Sequence, residues 1–228
     1  MYARYNEECR RESDINEHLP VLQKYARECS SIAECGVRGV VSTWAFLTGL
    51  RESQQNNKKL FCVDIEHVDM DVPKEIAADH GIDLVFLQEN SATVDFGQNV
   101  DLLFIDTYHV YGHLKRELAH HHSKVNKYII MHDTTIDEIL GETVRIMYTY
   151  RPDLSPQVMA EQTGYPVLEI IKGLGPAIKE FLAEHPEWKL LEKLTNSSGM
   201  TVLTRVDTCQ ESSGPSLESP QTPPLDTS

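Results

Sequence analysis

Short apolar runs alternate along this chain with longer segments in which apolar residues recur every three or four positions. The apolar runs predict five buried strands, because unbroken apolar stretches bounded by polar turns are typical of parallel strands covered on both faces. The longer segments predict helices between the strands. The strands are predicted at 31–35, 60–63, 84–87, 101–105 and 128–131, and the helices at 40–52, 73–80, from about 111, and at 137–148.

The two ends of the chain follow other patterns. Residues 1–30 are charged and predict a helical segment, with apolar positions at helical spacing near its end. Residues 151–175 contain three prolines and three glycines, and predict a long loop with a short extended piece at 168–171. A loop of that length is usually functional, so we expect a lid that faces the substrate. Residues 175–185 predict a helix, 188–194 and 200–206 an antiparallel hairpin, and 207–228 a disordered tail.

These elements together predict an α/β fold. Five strands joined through helices, followed by a hairpin, give a Rossmann-like doubly wound, mostly parallel seven-stranded sheet with an antiparallel C-terminal hairpin. We expect residues 31–206 to form one domain, preceded by the helical segment and followed by the tail.

Composition excludes some partners. The 228 residues carry a formal net charge of -14, and a protein that binds nucleic acid needs a basic surface. No apolar stretch approaches the roughly 20 residues that span a bilayer, so we expect no membrane association and a cytoplasmic location. The five cysteines form no CxxC pair and are expected to be reduced.

The first candidate site follows the first strand. Glycines at Gly36 and Gly39 let the backbone approach a ligand closely, and Asp64 closes the second strand, where its carboxylate could accept hydrogen bonds from two ribose hydroxyls. Polar residues 88–91 follow the third strand and could contact an adenine edge. This pattern predicts half of a nucleotide-binding site. An ordinary strand-turn-helix is the alternative, since the three-glycine dinucleotide pattern is missing.

A second candidate site follows the fourth and fifth strands. Asp106 and His109 leave the fourth strand, and His132 and Asp133 close the fifth. Carboxyl ends of neighbouring parallel strands lie about 5 Å apart, so these four groups could converge. Two carboxylates suit a hard divalent cation, and an imidazole beside them suits a general base. The alternative is that both aspartates cap the helices that follow.

Three consecutive histidines at the end of a predicted helix invite a metal-site interpretation. On a helix His120, His121 and His122 point about 100° apart, so they cannot jointly hold one ion. We expect a solvated helix end there.

The motif Glu34-Cys-Gly-Val-Arg-Gly39, the carboxylate Asp64, the turn Asp106-Thr-Tyr-His109, the pair His132-Asp133 and the terminal hairpin resemble a class I S-adenosylmethionine-dependent methyltransferase. Within that superfamily the chain is similar to metal-dependent sugar O-methyltransferases of the macrolide type, to the cephalosporin-hydroxylase-like group and to methyltransferase domains that act on viral and bacterial glycans. The resemblance covers about residues 31–206.

The resemblance implies a role for each matching residue. S-adenosylmethionine would be the cofactor, Asp64 would bind its ribose, and His109 would be the catalytic base. Asp106 would be a metal ligand, as would the pair that closes the fifth strand; that pair is Glu-Asp in the family and His132-Asp133 here. Imidazole in place of a carboxylate would shift preference from Mg²⁺ towards Mn²⁺ or remove the metal. The implied cofactor-binding residues are Glu34, Gly36, Val37, Asp64, Ile65, Asn90, Ser91 and Asp106.

The function implied by this resemblance is methyl transfer to a sugar hydroxyl, in a deoxyhexose such as rhamnose, within a glycan or a small glycoside. Three alternatives remain: an O-methyltransferase for a non-sugar diol or catechol, a nicotinamide-dependent oxidoreductase, and a non-catalytic Rossmann-like scaffold. The N-terminal helix and the 151–175 loop could also pack against a second copy, which would make a homo-oligomer.

Overall fold

The structure, a computed structural model, describes residues 1–206 of the chain. Its strands are β1 (Ser31–Cys35), β2 (Lys59–Asp64), β3 (Asp83–Gln88), β4 (Val100–Ile105), β5 (Val125–His132), β6 (Trp188–Leu194) and β7 (Met200–Arg205). They form one sheet in the order β3-β2-β1-β4-β5-β7-β6. The first five strands are parallel to one another, and β7 runs antiparallel to both β5 and β6. The predicted fold class is confirmed.

Helices cover both faces of the sheet. Helices α1, α2 and α3 pack together on one face, and α5 and α9 pack together on the other. Among residues 1–206, none of the helices is long and apolar enough to cross a membrane. The helices are α1 (Tyr2–Arg10), α2 (Leu19–Ala26), α3 (Val41–Glu52), α4 (Asp71–Ala78), α5 (Tyr111–His121), α6 (Glu142–Thr149), α7 (Pro156–Thr163), α8 (Val167–Ile171) and α9 (Leu174–Glu184), with 3-10 turns at Asn16–His18 and His122–Lys124.

The unbroken apolar run of β4 shows why the sheet has two cores. Successive side chains of a strand point to opposite faces. Leu102 and Phe104 therefore pack under α2 and α3, whereas Leu103 and Ile105 pack under α5 and α9. All four are buried. If every second residue of β4 were polar, one of the two cores would lack these apolar side chains.

The register of the sheet brings four strand ends to one edge. Cys35 pairs with Val63 on one side and with Ile105 on the other, and Ile105 pairs with Met131. The residues that follow β1, β2, β4 and β5 therefore leave the sheet at the same level. Ligands of open α/β sheets bind at this carboxyl edge.

The segment predicted as a long loop is largely helical. Pro156 begins α7 behind Ser155, whose Oγ accepts a hydrogen bond from the Val158 amide, and Gly164 ends the helix with φ 74°. Proline at a first helical position and glycine after the last are helix boundaries, so the loop prediction was wrong. The extended piece predicted at 168–171 was also wrong, because Val167–Ile171 is α8.

A second difference lies after β5. The predicted helix 137–148 begins only at Glu142, and residues 133–141 form turns that pass over the sheet edge. The predicted disordered tail, 207–228, lies outside the described residues, and its structure stays a prediction.

Candidate active site

The loop after β1 lies directly against the end of β4. Gly36 has φ 90°, and a Cβ built on it would lie 1.8 Å from the carbonyl oxygen of Asp106. Only glycine allows this backbone conformation at low cost and this close approach. Gly39 is different, because its added Cβ would meet only the Val41 Cγ2 atom, at 3.6 Å. The two glycines of the motif are therefore not equivalent.

Alanine at Gly36 is expected to destabilise the fold by about 3 kcal/mol or more. A left-handed φ costs a residue with a Cβ about 1–2 kcal/mol, and overpacking against backbone adds about 1–3 kcal/mol. Gly39→Ala is the matched control, with a change expected within about 0.5 kcal/mol. Urea unfolding of both variants measures the difference. Equal midpoints for the two variants would contradict the close approach of the loop to β4.

Asp64 holds the same loop from the end of β2. Its Oδ2 atom accepts hydrogen bonds from the amides of Val37 and Arg38, both at 2.9 Å, and its Oδ1 atom accepts one from the Glu66 amide at 3.0 Å. Arg38 and Val40 have φ 38° and 60°, a conformation that costs free energy in residues other than glycine. The carboxylate thus stabilises a strained turn at the sheet edge.

Glu34 lies beneath the loop and is completely buried. Its carboxyl accepts hydrogen bonds from Ser42 (2.5 Å) and Thr43 (2.8 Å) at the start of α3, and from the Cys62 thiol (3.3 Å). Burial raises its pKa to about 7, although these three donors lower it. Glu34 does not line the cavity described below, so its contacts anchor α3 to the sheet.

Glu34→Gln is expected to change how stability depends on pH. The folded pKa of about 7 lies above the reference 4.5. The contribution of Glu34 to stability is therefore fully present below pH 4.5 and is lost as pH rises through 7. Between those values the wild type should lose up to about 3 kcal/mol relative to the glutamine variant. Unfolding free energies at several pH values measure the effect; parallel profiles for the two proteins would show that Glu34 does not titrate this way.

A cavity of about 900 Å³ opens at the carboxyl edge of the sheet. Two of the predicted site residues, Glu34 and His132, do not line it. The predicted residues that do are Gly36, Val37, Asp64, Ile65, Asn90, Ser91, Asp106, His109 and Asp133. The structure therefore brings the two candidate sites of the sequence together in one cavity. A smaller cavity of about 560 Å³ at the opposite edge contains none of them.

Asn90 and Ser91 occupy the turn after β3. The Asn90 Oδ1 atom accepts a hydrogen bond from the Ala92 amide at 2.9 Å, which shapes the turn. The Ser91 hydroxyl contacts His113 Nε2 at 3.1 Å, and His113 Nδ1 contacts the Tyr165 hydroxyl at 2.9 Å. His113 and Tyr165 also line the cavity. Tyr165 lies between α7 and α8, so the segment predicted as a lid does face the cavity.

Four carboxylates surround the His109 ring. Its Nε2 atom lies 3.1 Å from Asp106, and its Nδ1 atom lies 3.1 Å from Asp133, 3.0 Å from Glu142 and 3.7 Å from Asp137. Arg145 donates two hydrogen bonds to Asp137, at 2.8 and 2.7 Å. Both nitrogens of the His109 ring therefore face carboxylate oxygens.

Electrostatics favour the charged forms of His109 and Asp106. Burial alone would lower the pKa of His109, but Asp106 and Glu142 raise it well above its usual value. Burial would raise the pKa of Asp106, but His109 and His132 hold it well below its usual range. The cluster without a further cation therefore contains an imidazolium among carboxylates.

His132 does not line the cavity. Its Nε2 atom lies 3.0 Å from His18 Nδ1, in the N-terminal 3-10 turn, and its Nδ1 atom lies 3.2 Å from Asp133 and 3.7 Å from Asp106. Burial opposes protonation of His132, but Asp106 and Asp133 raise its pKa to about 9. His132 therefore lies between the two carboxylates and His18, and connects the cluster to the N-terminal segment.

Comparison with known proteins supports a methyltransferase. Residues 33–134 match the family model described as a methyltransferase domain. Together with the sheet order, the match confirms the predicted class I S-adenosylmethionine-dependent methyltransferase. No curated protein matches the chain in sequence.

Solved structures of low sequence identity share the fold of this methyltransferase. An O-methyltransferase family protein from Burkholderia thailandensis has 11% identity and a TM-score of 0.52, with 84% of this chain and 55% of that chain covered. A provisionally assigned caffeoyl-CoA O-methyltransferase from Staphylococcus aureus has 13% identity and a TM-score of 0.51, with 83% of each chain covered. TomG from Streptomyces achromogenes, an O-methyltransferase of tomaymycin synthesis in complex with SAM, has 11% identity and a TM-score of 0.50, with 84% and 81% covered.

The methyltransferase has a donor set that suits a divalent cation. Single ligand atoms of Asp106, His109 and Asp133 all lie within 4.8 Å of one another. The Asp133 Oδ1 atom is buried and accepts no well-aligned hydrogen bond from residues 1–206, although His132 Nδ1 lies 3.2 Å away. Carboxylate oxygens alone suit Mg²⁺, and carboxylate oxygens with one imidazole nitrogen suit Mn²⁺ better. The predicted ligand His132 also lies beside both aspartates but does not line the cavity, and its role as a metal ligand stays a prediction.

Five residues of the site were missed by sequence reasoning. Asp137 and Glu142 lay inside a predicted helix, where their carboxylates gave no separate indication of a site. The sequence did offer one indication that these carboxylates belong to the site, because they lie only four and nine residues after Asp133. A segment rich in turns can place several of its side chains near one strand end. The others, His18, His113 and Tyr165, reach the site through contacts between distant segments.

Proposed function

We propose that this methyltransferase transfers the methyl group of S-adenosylmethionine to a hydroxyl oxygen of a sugar, with a deoxyhexose such as rhamnose as the first candidate acceptor. The observation that supports an oxygen acceptor best is the arrangement of His109, Asp106 and Asp133 beside the glycine loop, in one cavity. A hydroxyl must lose its proton during transfer, and the cluster offers a proton acceptor beside a cation site. The sugar is inferred from the family resemblance.

The cofactor would bind across the β1 loop and the ends of β2 and β3. The Asp64 carboxylate, already fixed by the Val37 and Arg38 amides, would accept hydrogen bonds from the ribose hydroxyls. Ile65 is exposed at the cavity wall and offers an apolar surface for the adenine ring. Asn90 and Ser91 would lie near the adenine edge. This arrangement would direct the methyl group towards Asp106 and His109.

Methyl transfer is an in-line displacement. The acceptor oxygen forms a bond to the methyl carbon while the carbon–sulfur bond breaks, which leaves S-adenosylhomocysteine. His109 would take the hydroxyl proton, and Asp106 would orient the imidazole through Nε2. A divalent cation held by Asp106 and Asp133, when bound, would orient a vicinal diol and lower the hydroxyl pKa. His109 can act as a base only where the charge of the surrounding carboxylates is neutralised, because those carboxylates favour its protonated form.

A catechol or another non-sugar diol is the second candidate acceptor. Two tyrosines, Tyr108 and Tyr165, line the cavity, and the centroid of each ring lies 6.0 Å from that of His113. Aromatic side chains pack well against a planar ring, and one structural neighbour is described as a caffeoyl-CoA O-methyltransferase. A pair of adjacent hydroxyls would meet the same cation site in either acceptor.

The experiment that tests this proposal follows formation of S-adenosylhomocysteine with purified protein. A panel of rhamnosides, other deoxyhexosides and catechols is offered with Mg²⁺, with Mn²⁺ and with a chelator. Turnover of glycosides but not catechols supports the sugar acceptor, and the reverse result supports the second candidate. Turnover only on amines or thiols would overturn an oxygen acceptor. The predicted cytoplasmic location and homo-oligomer remain predictions, tested by fractionation and by light scattering.

A further inference from the structure

A second group of metal-ligating side chains lies at the opposite edge of the sheet. His122 begins the 3-10 turn before β5, and Glu187 lies directly before β6. His185 follows the end of α9. Since β5 and β6 run in the same direction, this group lies at the amino ends of these strands, away from the cavity. The proposed methyl transfer makes no use of these residues.

The three side chains are arranged like ligands of one ion. The His185 Nδ1 atom lies 3.5 Å from Glu187 Oε1, and the His122 Nδ1 atom lies 3.8 Å from the same oxygen. The two imidazole rings are 4.0 Å apart between centroids. Bonds of 2.0–2.2 Å around a tetrahedral zinc ion place neighbouring donor atoms about 3.4 Å apart, so only small movements would bring these atoms to an ion.

An unpaired buried nitrogen points to a missing partner. The Nδ1 atom of His122 is buried and has no hydrogen-bond partner among the described residues. A buried polar atom without a partner costs free energy.

We propose that His122, His185 and Glu187 form a structural site for a divalent transition metal of the Zn²⁺ type. Two imidazoles and one carboxylate are a ligand set that suits zinc, with water in the fourth position. The ion would join the 3-10 turn before β5 to the α9–β6 connection and so fix the C-terminal hairpin against the sheet. It would also neutralise Glu187 and satisfy the buried nitrogen of His122.

The competing explanation is stacking without metal. His122 and His185 both contact Phe181, with centroids 5.6 and 4.7 Å away. Two imidazoles packed on a phenyl ring could be stable without a metal. That arrangement predicts no affinity for metal, so metal binding distinguishes the two.

The test is a titration of tag-free, metal-stripped full-length protein with Co²⁺, followed by displacement with Zn²⁺. We expect one equivalent to give the visible absorption of four-coordinate Co²⁺, and Zn²⁺ to raise the melting temperature. His185→Ala should weaken Zn²⁺ binding more than the about 10–100-fold typical of losing an outer-shell partner. His185 is partly exposed, so the fold should tolerate this change; Glu187→Gln is a second variant.

Two controls separate this site from others. His80→Ala removes an exposed imidazole elsewhere and should leave the Co²⁺ spectrum unchanged. Asp133→Asn weakens the candidate site in the cavity and should also leave the four-coordinate band intact. Absence of the band in the wild type, or a band that persists in both His185→Ala and Glu187→Gln, would overturn the proposal.

Discussion

Replacing His109 by glutamine is expected to lower kcat for methyl transfer by about 10²–10⁴-fold, the usual contribution of a general base. The amide of glutamine can still donate a hydrogen bond to one of the surrounding carboxylates, but it cannot take the acceptor proton. Affinity for S-adenosylmethionine should stay within about threefold of wild type, because the proposed ribose contact is made by Asp64. Steady-state formation of S-adenosylhomocysteine and calorimetry measure the two quantities.

A matched control uses another histidine of the same cavity. His67 is exposed, lines the cavity and is absent from the acidic cluster. His67→Gln should therefore retain kcat within about threefold. Full turnover by the His109→Gln protein would remove His109 from the mechanism. An equal loss of kcat in both variants would show that the effect is not specific to His109, and would also contradict its role as the base.

The second large effect is expected at the other side of the cavity. Asp64→Ala should weaken binding of S-adenosylmethionine by about 100-fold or more. Hydrogen bonds that involve a charged group contribute about 1.5–3 kcal/mol each, and this variant would lose those to the ribose together with those that fix the Val37 and Arg38 amides. The measurement is isothermal titration calorimetry on the variant and the wild type.

Glu66→Ala is the control for the lost charge. Glu66 is exposed, lines the same cavity and lies two residues after Asp64. Its replacement changes the net charge equally but removes no side-chain hydrogen bond to the loop. Affinity of the Glu66→Ala protein should stay within about threefold of wild type. An Asp64→Ala protein that binds as tightly as this control would exclude the proposed ribose contact.

Much of the fold was accessible from the sequence because its strands are buried on both faces. The run 101–105 predicted a strand because its apolar residues are unbroken, as expected for a parallel strand covered on both faces. Glycines and carboxylates at strand ends then placed the candidate residues on one edge, since parallel strands end together. This reasoning required only the local pattern and the rule for open sheets.

The segments over the site were predicted poorly. Residues 151–175 contain prolines and glycines, which suggested a loop, but Pro156 and Gly164 mark the two ends of a helix instead. After β5, Asp133 has φ 57°, which starts a run of turns rather than the predicted helix. In 151–175 residues that mark helix ends were interpreted as loop residues, and the helix predicted over 137–148 begins five residues later than expected, at Glu142.

The three consecutive histidines show a further limit of prediction from sequence. His120, His121 and His122 were interpreted as a solvated helix end, yet His121 is buried, and its Nε2 atom lies 2.6 Å from the Ser91 carbonyl oxygen, to which it donates a hydrogen bond. His122 meets His185 across 63 positions of the sequence. Contacts of this kind depend on how α5 and α9 pack together, and the local sequence pattern does not predict that packing.

The family match makes the oxidoreductase and scaffold alternatives less favoured. A methyltransferase domain over residues 33–134 removes the main reason to consider a nicotinamide-dependent oxidoreductase. A non-catalytic scaffold would have no need to keep four carboxylates around one imidazole, because each buried charge costs free energy. Retention of this cluster favours an enzyme.

Calorimetric titration of S-adenosylmethionine into the purified wild-type protein, with Mg²⁺, with Mn²⁺ and with neither, tests the central claim most directly. We predict binding of one equivalent with a dissociation constant on the order of micromolar, and no comparable binding of NAD. Absence of S-adenosylmethionine binding under all three conditions, with NAD bound instead, would contradict the assignment of this cavity to methyl transfer.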